Sequence, residues 1–454
     1  MRERTLAVAT ALVCALATAS ALSARGAGFE KTEKAYAEKA AAEWVRLGRW
    51  CLNRGLGEKA RFCCERAEEI CPSVKGLDGL KEKAAALESE GDQKALKSWD
   101  GRLASCRRRI AGYYDRIVSS AGKGADAETQ KKADEYMFRA LELSPTESRW
   151  GRALSRASKA AAAKKFERAA RIAERALRMK PPEKFVPKFK DVRDASAVDG
   201  IVLRTASSHP MKYYLSLPRG FKRRKGRKWP VLVVVEGAGS GFKGRAFGYR
   251  RARDGLRFII VCPCTFSNTN AVEGRMLERY REFYTDEVIK KAEAGRLDWD
   301  EKGILAMIED LKADYDAEAA VYITGFSGGG NATYMMIFKH PDLLAGAAPA
   351  CANFFGEHLY RPLKGRFSKE DLTFPIHLIN GADDPHRRWT KGNRNAPGIE
   401  PQADRAERLL KEFGYPNVKR TTVPGMGHDP AYKHVIETFK PYWSGRKRRG
   451  DPPD

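Results

Sequence analysis

The stretch of sequence that decides the fold reads Tyr322-Ile323-Thr324-Gly325-Phe326-Ser327-Gly328-Gly329-Gly330. An apolar, β-prone segment (320–323) runs directly into a Gly-x-Ser-x-Gly motif, and an Ala/Met-rich helical pattern (331–340) follows it. A serine between a strand and a helix sits on a tight, strained turn, where flanking glycines remove side chains that would collide with neighbouring backbone. The motif therefore predicts an exposed nucleophile, Ser327. The alternative is a serine that only caps the helix.

Two later strand ends carry the groups that such a serine needs. The apolar segment 374–380 ends in Gly381-Ala382-Asp383-Asp384-Pro385, and the segment 419–423 ends in Pro424-Gly425-Met426-Gly427-His428. A serine hydroxyl needs an adjacent base, and the chain order nucleophile, acid, histidine is that of one class of Ser-His-Asp triads. We predict a triad in which His428 is the base and Asp383 or Asp384 is the acid. His386 is a weaker rival to His428.

Backbone N–H groups have to stabilise the oxyanion of the reaction. One predicted donor is Gly328, directly after the nucleophile, and the other is Ala238 or Gly239, in the glycine-rich loop after the strand 231–236. That loop does not fit a nucleotide-binding site, because its glycine spacing is wrong and no Lys-Ser/Thr pair follows.

The second half of the sequence alternates between strands and helices. Helical patterns cover 301–315, 331–340, 401–413 and 430–442. Because several strands are continuously apolar, the pattern favours a mostly parallel, doubly wound sheet covered on both faces. The strand candidates are 201–205, 212–217, 231–236, 258–262, 321–324, 344–348, 376–380 and 419–423.

Residues 201–442 resemble an α/β-hydrolase of the polyhydroxybutyrate depolymerase / feruloyl esterase type. The resemblance implies an α/β-hydrolase fold and ester hydrolysis, with no cofactor and no metal ion. In that family the acid stands three residues after the strand-end glycine and before a proline, which is the position of Asp384. The motifs that carry the resemblance are Tyr213-Tyr214-Leu215-Ser216-Leu217-Pro218, Trp229-Pro230-Val231, Gly325-Phe326-Ser327-Gly328-Gly329, Gly381-Ala382-Asp383-Asp384-Pro385 and Gly427-His428.

One position departs from the family pattern. Where the family usually has His-Gly after the third strand, this chain has Glu236-Gly237. A carboxylate there opposes the developing negative charge if it points inward, so we expect Glu236 to face an arginine.

The predicted activity is that of an exported serine esterase that forms an acyl-enzyme. The alternatives are a serine peptidase of the same fold, which fold and triad cannot distinguish from an esterase, and an inactive hydrolase-fold scaffold. Arg387 and Trp389 follow the acid loop and are candidates for substrate binding, with an ester on a polysaccharide or polyester as the substrate. The long segment 262–299 is either a lid or a packed peripheral helix.

Four regions divide the sequence. Residues 1–24 read as a signal peptide, with a positive start, a short apolar centre and small-residue cleavage sites, so we expect export to the periplasm, the cell surface or the medium. Residues 25–182 form a helical domain, 183–443 the α/β-hydrolase domain, and 444–454 a basic disordered tail.

The helical domain has the spacing of a degenerate tetratricopeptide repeat, a fold that binds partner proteins; a helical spacer is the alternative. Two further segments, which end at Pro145 and Pro181, match only the second helix of such a repeat and match it more weakly. The positions that carry the first copy are Trp44, Leu47, Gly48, Cys51, Ala60, Cys64, Ala67 and Pro72.

The chain carries a net charge of +26, with its densest runs at 219–228 and 446–449. These runs are either solvated surface or a contact with a polyanion, such as an acidic polysaccharide or a lipid surface. No nucleic-acid partner is expected, because no stacking-aromatic or helix-turn-helix pattern accompanies the charge. Of nine cysteines, one lies in the signal segment, and the remaining eight lack zinc-site spacing and are expected to be mostly buried.

Overall fold

A computed structural model describes residues 28–88, 93–122, 125–221, 228–239, 241–390 and 393–444. The predicted signal peptide, most of the basic run at 219–228 and the tail after residue 444 lie outside these residues. The described residues up to Ser158, with Ile172–Lys190, form one compact unit, and Lys159–Arg171 with the described residues from Asp191 onward form a second. Within the described residues, no helix combines the length and apolar character needed to cross a membrane.

The N-terminal part of the chain is helical. Trp44 and Cys51 on the first helix and Ala60 on the second are buried, and a Cβ on Gly48 would lie 2.7 Å from Leu80 Cδ2, so these helices pack closely. The helices are α1 (28–52), α2 (Gly57–Ile70), α3 (Leu77–Ala85), α4 (Gln93–Ser120), α5 (Ala127–Leu143), α6 (Glu147–Ala162), α7 (Phe166–Arg178) and α8 (Val186–Asp199).

The second unit is built on an eight-stranded sheet. Its strands are β1 (Val202–Thr205), β2 (Lys212–Ser216), β3 (Val231–Val235), β4 (Ile259–Pro263), β5 (Val321–Gly325), β6 (Leu344–Ala347), β7 (Ile376–Gly381) and β10 (Val418–Val423). The spatial order is β1-β2-β4-β3-β5-β6-β7-β10. Only β1 and β2 pair antiparallel with their neighbours, and the remaining strands are parallel.

This sheet has the strand order of an α/β-hydrolase fold, so the predicted fold class is confirmed. Strands β3, β4 and β5 are buried at every position, because helices cover both faces and a fully covered strand has no solvent side. All eight predicted strands are present, each within about one residue at either end.

The helices of the second unit include several that the sequence patterns did not predict. Helix α9 follows the loop after β3, α10 and α11 lie between β4 and β5, and α14 is one short turn. A two-stranded hairpin after β7, β8 (Trp389–Thr390) with β9 (Asn393–Pro397), is also additional. The helices are α9 (Phe242–Ala252), α10 (Arg275–Arg281), α11 (Asp286–Glu293), α12 (Arg296–Tyr315), α13 (Gly330–Lys339), α14 (Glu357–Tyr360), α15 (Ile399–Phe413) and α16 (Tyr432–Trp443).

The described cysteines are all free thiols, and seven of the eight are buried. This agrees with their expected role as small apolar side chains.

Candidate active site

Ser327 occupies the turn between β5 and α13 in a left-handed backbone conformation, with φ at +50°. A non-glycine residue in this region costs on the order of 1–3 kcal/mol and persists only where its surroundings enforce it. A Cβ on Gly325 would lie 2.2 Å from Thr333 Oγ1, and one on Gly329 would lie 2.5 Å from Glu236 O. The two glycines of the motif are therefore required by close approach of the backbone, as the sequence predicted.

Asp384 and His428 meet at the carboxyl ends of β7 and β10. Asp384 Oδ2 lies 2.8 Å from His428 Nδ1, and Asp384 Oδ1 accepts a hydrogen bond from the His386 backbone N–H at 2.7 Å. Burial alone would raise the pKa of Asp384, but the hydrogen bonds from His428 and from the backbone outweigh it and lower this pKa below its usual value. The carboxyl group therefore stays ionised at neutral pH, as a partner for an imidazole.

The neighbouring aspartate does not take this place. Asp383 is exposed, and its backbone N–H donates to Met426 O at 2.9 Å. The two loops are tied together at their base as well, because the Ala382 N–H donates to Val423 O at 2.9 Å. Of the two carboxylates that the sequence left open, the structure directs Asp384 toward His428.

Ser327 and His428 are near each other but not directly bonded. The His428 ring packs on Phe326, the residue before Ser327, with 4.7 Å between ring centroids. Ser327 N–H donates to Ala350 O, and the next residue, Cys351, places its Sγ 3.8 Å from Gly427 O. Within the described residues, the Ser327 hydroxyl forms no hydrogen bond with His428. Hydrogen bonds of this kind are often long in free enzymes and tighten when substrate binds.

The loop after β3 and the serine turn both contact Asn268, because a Cβ on Gly328 would collide with Asn268 O. Its Nδ2 donates to Gly237 O at 2.7 Å and to Gly239 O at 3.1 Å. A Cβ on Gly237 would lie 2.9 Å from Phe326 Cδ1, so the loop backbone lies directly on the residue preceding Ser327. The predicted oxyanion donors thus lie on two segments: Gly328 on the serine turn, and Ala238 and Gly239 on the loop after β3. The contacts of Asn268 and the close approach at Gly237 hold these two segments together.

Glu236 faces a cation, as expected. Arg245 of α9 donates to both carboxylate oxygens, from Nε to Oε2 and from Nη2 to Oε1, each at 2.9 Å. The Gly237 N–H donates to Glu236 Oε1 at 3.0 Å, which excludes this N–H from the oxyanion donors. Arg245 also lies over the Phe326 ring, 4.7 Å from its centroid. The carboxylate is therefore neutralised before any negative charge develops at the site.

The candidates for substrate binding lie just beyond the acid loop. The Arg387 guanidinium forms a two-point ion pair with Glu400, from Nε and Nη2 at 2.9 Å each, which commits it to holding this loop. Trp389, in β8, is 55% exposed and is available to a ligand. His386 lies with its ring 4.8 Å from that of His428.

The segment 262–299 packs into the core. Tyr280, Tyr284 and Trp299 are buried, and Tyr280 OH donates to Thr265 O at 2.6 Å. Buried Asp300 accepts hydrogen bonds from the N–H groups of Phe266 and Ser267, at 2.9 and 2.8 Å, just before Asn268. Of the two alternatives left open, these contacts favour the packed segment, which also holds Asn268 in position.

Three donor atoms at the site lie close enough together to suggest a metal ligand set. The Cys351 thiol, an Asp384 oxygen and a His428 nitrogen are all within 4.8 Å of one another. Burial raises the pKa of Cys351 to about 11, so its thiol stays protonated at neutral pH. A protonated thiol beside an imidazole already bonded to a carboxylate fits a metal ion poorly.

The sequence patterns missed Arg245, Asn268 and Cys351. Asn268 carries the clearest available signal, because it lies in the polar stretch Ser267-Asn268-Thr269-Asn270 just beyond the carboxyl end of β4. Ligand-binding groups of open α/β sheets concentrate at such strand ends. Arg245 and Cys351 had no comparable local signal.

The chain resembles known structures at low sequence identity and over about half of its length. No protein-family model and no curated protein matches the chain. Among solved structures, a thermostable esterase aligns at 20% identity over 55% of this chain and 61% of its own, with a TM-score of 0.35. The chain thus spans less than two thirds of that esterase.

Two further structures align with comparable scores. Poly(aspartic acid) hydrolase-1 from Sphingomonas sp. KT-1 aligns at 15% identity over 52% of this chain and 95% of its own, with a TM-score of 0.37. The feruloyl esterase module from Clostridium thermocellum, complexed with sinapinate, aligns at 16% identity over 52% of this chain and 84% of its own, with a TM-score of 0.34. Likenesses at this level carry no argument about activity, so the chemistry has to be argued from the residues.

Proposed function

We propose that this protein is a serine hydrolase that cleaves carboxylic esters through an acyl-enzyme. The observation that carries the proposal is the partly buried Asp384–His428 hydrogen bond, 2.8 Å long, at the same sheet edge as the strained Ser327 turn. A carboxylate that orients an imidazole next to a serine hydroxyl is the arrangement that activates the serine.

The proposed reaction begins when the Ser327 hydroxyl turns toward His428 Nε2. His428 takes the hydroxyl proton as the oxygen attacks the ester carbonyl, and Asp384 stabilises the imidazolium that forms. The N–H groups of Gly328 and of Ala238 or Gly239 bind the oxyanion. His428 then gives its proton to the departing alcohol, and water hydrolyses the acyl-enzyme by the same steps in reverse.

The pairing of Glu236 with Arg245 supports an enzyme over an inactive scaffold. An unpaired carboxylate beside the oxyanion site would raise the energy of the transition state, whereas a carboxylate held by a bidentate arginine does not. The contacts of Asn268 support the same reading, because they fix the loop that supplies an oxyanion donor.

Turnover of matched substrates tests the proposal. The purified protein should hydrolyse p-nitrophenyl esters, and Ser327→Ala should lose at least about 10³-fold in kcat. Faster turnover of a peptide anilide than of the ester would assign the site to a peptidase instead. Absence of hydrolysis of either substrate class would favour the scaffold.

Export is part of the proposal and rests on the sequence of residues 1–24. A positive start, an apolar centre and small residues before position 25 support it. Cell fractionation and N-terminal sequencing of the mature protein test it, with cleavage at Ala21 or Ala24 as the expected result and an intact cytoplasmic Met1 as the contrary one.

For the helical domain we propose a degenerate tetratricopeptide array that binds a partner protein. A groove of about 280 Å³, lined by Trp44, Arg66 and Arg139 among others, supports this. Proximity labelling in the native host would identify a partner. Weaker binding of the purified partner to Arg66→Glu or Arg139→Glu would place it in the groove.

A further inference from the structure

The α/β unit contains a cavity of about 320 Å³ that is lined by four arginines and one carboxylate. The size lies at the lower end of the range for small-ligand pockets. The charged residues that line it are Arg219, Arg250, Arg251, Arg253 and Asp254.

The cavity lies at the sheet edge opposite the candidate active site. Arg253 donates to Leu217 O at 2.9 Å, beyond the end of β2, and to Phe258 O at 3.1 Å, before the start of β4. Since β2 and β4 are antiparallel, both positions lie at the amino ends of the parallel strands. Ser327 follows the carboxyl end of β5, so the two sites are separate.

Arg253 is a buried cation without a carboxylate partner. It is 6% exposed, and its guanidinium bonds backbone carbonyls and the Ser216 side chain; within the described residues it forms no ion pair. Burial, followed by repulsion from Arg250 and Arg219, lowers its pKa to about 10. A buried charge normally acquires a counter-ion, because desolvation otherwise costs several kcal/mol.

The other charged residues of the cavity do not neutralise Arg253. Arg250 donates to Asp199 O at 2.9 Å, and Arg219 and Arg251 are exposed. None of the three forms an ion pair with another residue in the described part of the chain. Asp254 is also exposed and pairs with none of them, so the cavity keeps a surplus of positive charge.

We propose that this cavity binds the sulfate or phosphate ester groups of a polyanionic polysaccharide. Guanidinium groups bind such oxyanions by bidentate, charge-assisted hydrogen bonds, and an anion in the cavity would relieve the repulsion among the arginines that line it. Among the residues that the structure describes, no aromatic side chain lines the cavity for stacking a nucleic-acid base, and none of the exposed large apolar residues lines it for entry into a bilayer. The inference is independent of the proposed hydrolase activity.

Calorimetric titration with a heparin octasaccharide at low salt tests the site without any reference to catalysis. Arg219→Gln/Arg251→Gln removes two exposed cations and leaves the buried Arg253 in place, so the fold should be retained and can be checked by thermal unfolding. The matched control is Arg408→Gln/Lys433→Gln, which removes two exposed cations from α15 and α16.

We expect the cavity variant to bind at least about tenfold more weakly than the wild type and the control variant to bind as the wild type does. Equal weakening in both variants would reduce the effect to net charge and overturn the proposal, as would wild-type protein that does not bind the octasaccharide. Cavity-dependent binding to phosphatidylglycerol vesicles or to single-stranded DNA, without binding to heparin, would overturn the choice of a polysaccharide.

Discussion

Asp384 and His428 are joined by a hydrogen bond of 2.8 Å between Oδ2 and Nδ1, although they lie on different loops and 44 residues apart in the chain. The parallel pairing of β7 with β10 brings the two loops together, with Gly381 opposite Val423. A Cβ on Gly381 would lie 2.3 Å from Met426 O, so only glycine allows the histidine loop to cross this strand end. The geometry of the acid–base pair is therefore a property of the sheet register.

Replacing Asp384 with Asn should abolish most activity while the fold persists. The amide cannot stabilise an imidazolium and favours the wrong histidine tautomer, so we expect kcat for a p-nitrophenyl ester to fall by roughly 10⁴-fold. Asp383→Asn is the matched control, since that carboxylate is adjacent but exposed. Equal losses in the two variants would refute the assignment of the acid.

Breaking the buried pair of Glu236 and Arg245 should destabilise the protein. Arg245→Met leaves the Glu236 carboxylate buried without a counter-charge, which typically costs about 3–5 kcal/mol in the free energy of unfolding. Glu236→Gln/Arg245→Met removes both charges and should recover part of this loss. Urea unfolding of the wild type, Glu236→Gln, Arg245→Met and the double variant gives the coupling energy, and additive single effects would show that the two side chains act independently.

Asn268→Ala should reduce kcat without a comparable change in KM. Asn268 holds the loop that carries Ala238 and Gly239, and looser oxyanion donors weaken binding of the transition state more than binding of the substrate. We expect a loss of roughly tenfold to a hundredfold in kcat. The control is Asn417→Ala, whose amide holds Thr373 O at 2.6 Å, before the start of β7. A rise in KM alone would show that Asn268 acts in substrate binding.

His377 should make the fold sensitive to acid. Its Nδ1 lies 2.8 Å from Thr438 Oγ1 and its Nε2 2.8 Å from Thr421 Oγ1. Thr438 Oγ1 donates to His434 O, so it accepts from Nδ1, and in the neutral ring Nε2 accepts from the Thr421 hydroxyl. Burial, then repulsion from Lys419 and His434, lowers the pKa of His377 from 6.5 to about 4.

The unfolded chain takes up this proton at a higher pH than the folded protein does. The free energy of unfolding is therefore undiminished by this group only above the pKa that His377 has in the unfolded chain. It should fall between pH 6.5 and about 4, by roughly 2–3 kcal/mol from this group. Urea unfolding across this range measures the effect. His377→Gln should show a flatter dependence, whereas His358→Gln, at an exposed position, should follow the wild type; identical slopes in all three would exclude His377 as the source.

Much of the fold could be predicted because its signals are local. Strands β3, β4 and β5 are short apolar runs that end at Glu236, Pro263 and Gly325, and the elbow glycines mark the turn at Ser327 without reference to any other part of the chain. The pairing of Asp384 with His428 was also accessible, because strand ends of a parallel sheet meet at one edge.

The support of the site could not be predicted in the same way. The sequence predicted that Glu236 faces an arginine but not which one, because the pairing of Arg245 with Glu236 depends on how α9 packs against the sheet. Asn268 lies 31 residues from Gly237, whose carbonyl it binds, and no sequence spacing reports such a contact. Helices α10 and α11 have only seven and eight residues, which is too short for a repeating sequence pattern to mark them, so tertiary packing rather than propensity defines them.

The most direct test of the central claim is labelling of the intact protein with a fluorophosphonate, followed by mass spectrometry of its peptides. A nucleophilic serine held beside an imidazole should form one covalent adduct, on Ser327, and the adduct should be lost in Ser327→Ala and strongly reduced in His428→Ala. An unlabelled wild type, or equal labelling of the wild type and Ser327→Ala, would contradict the account.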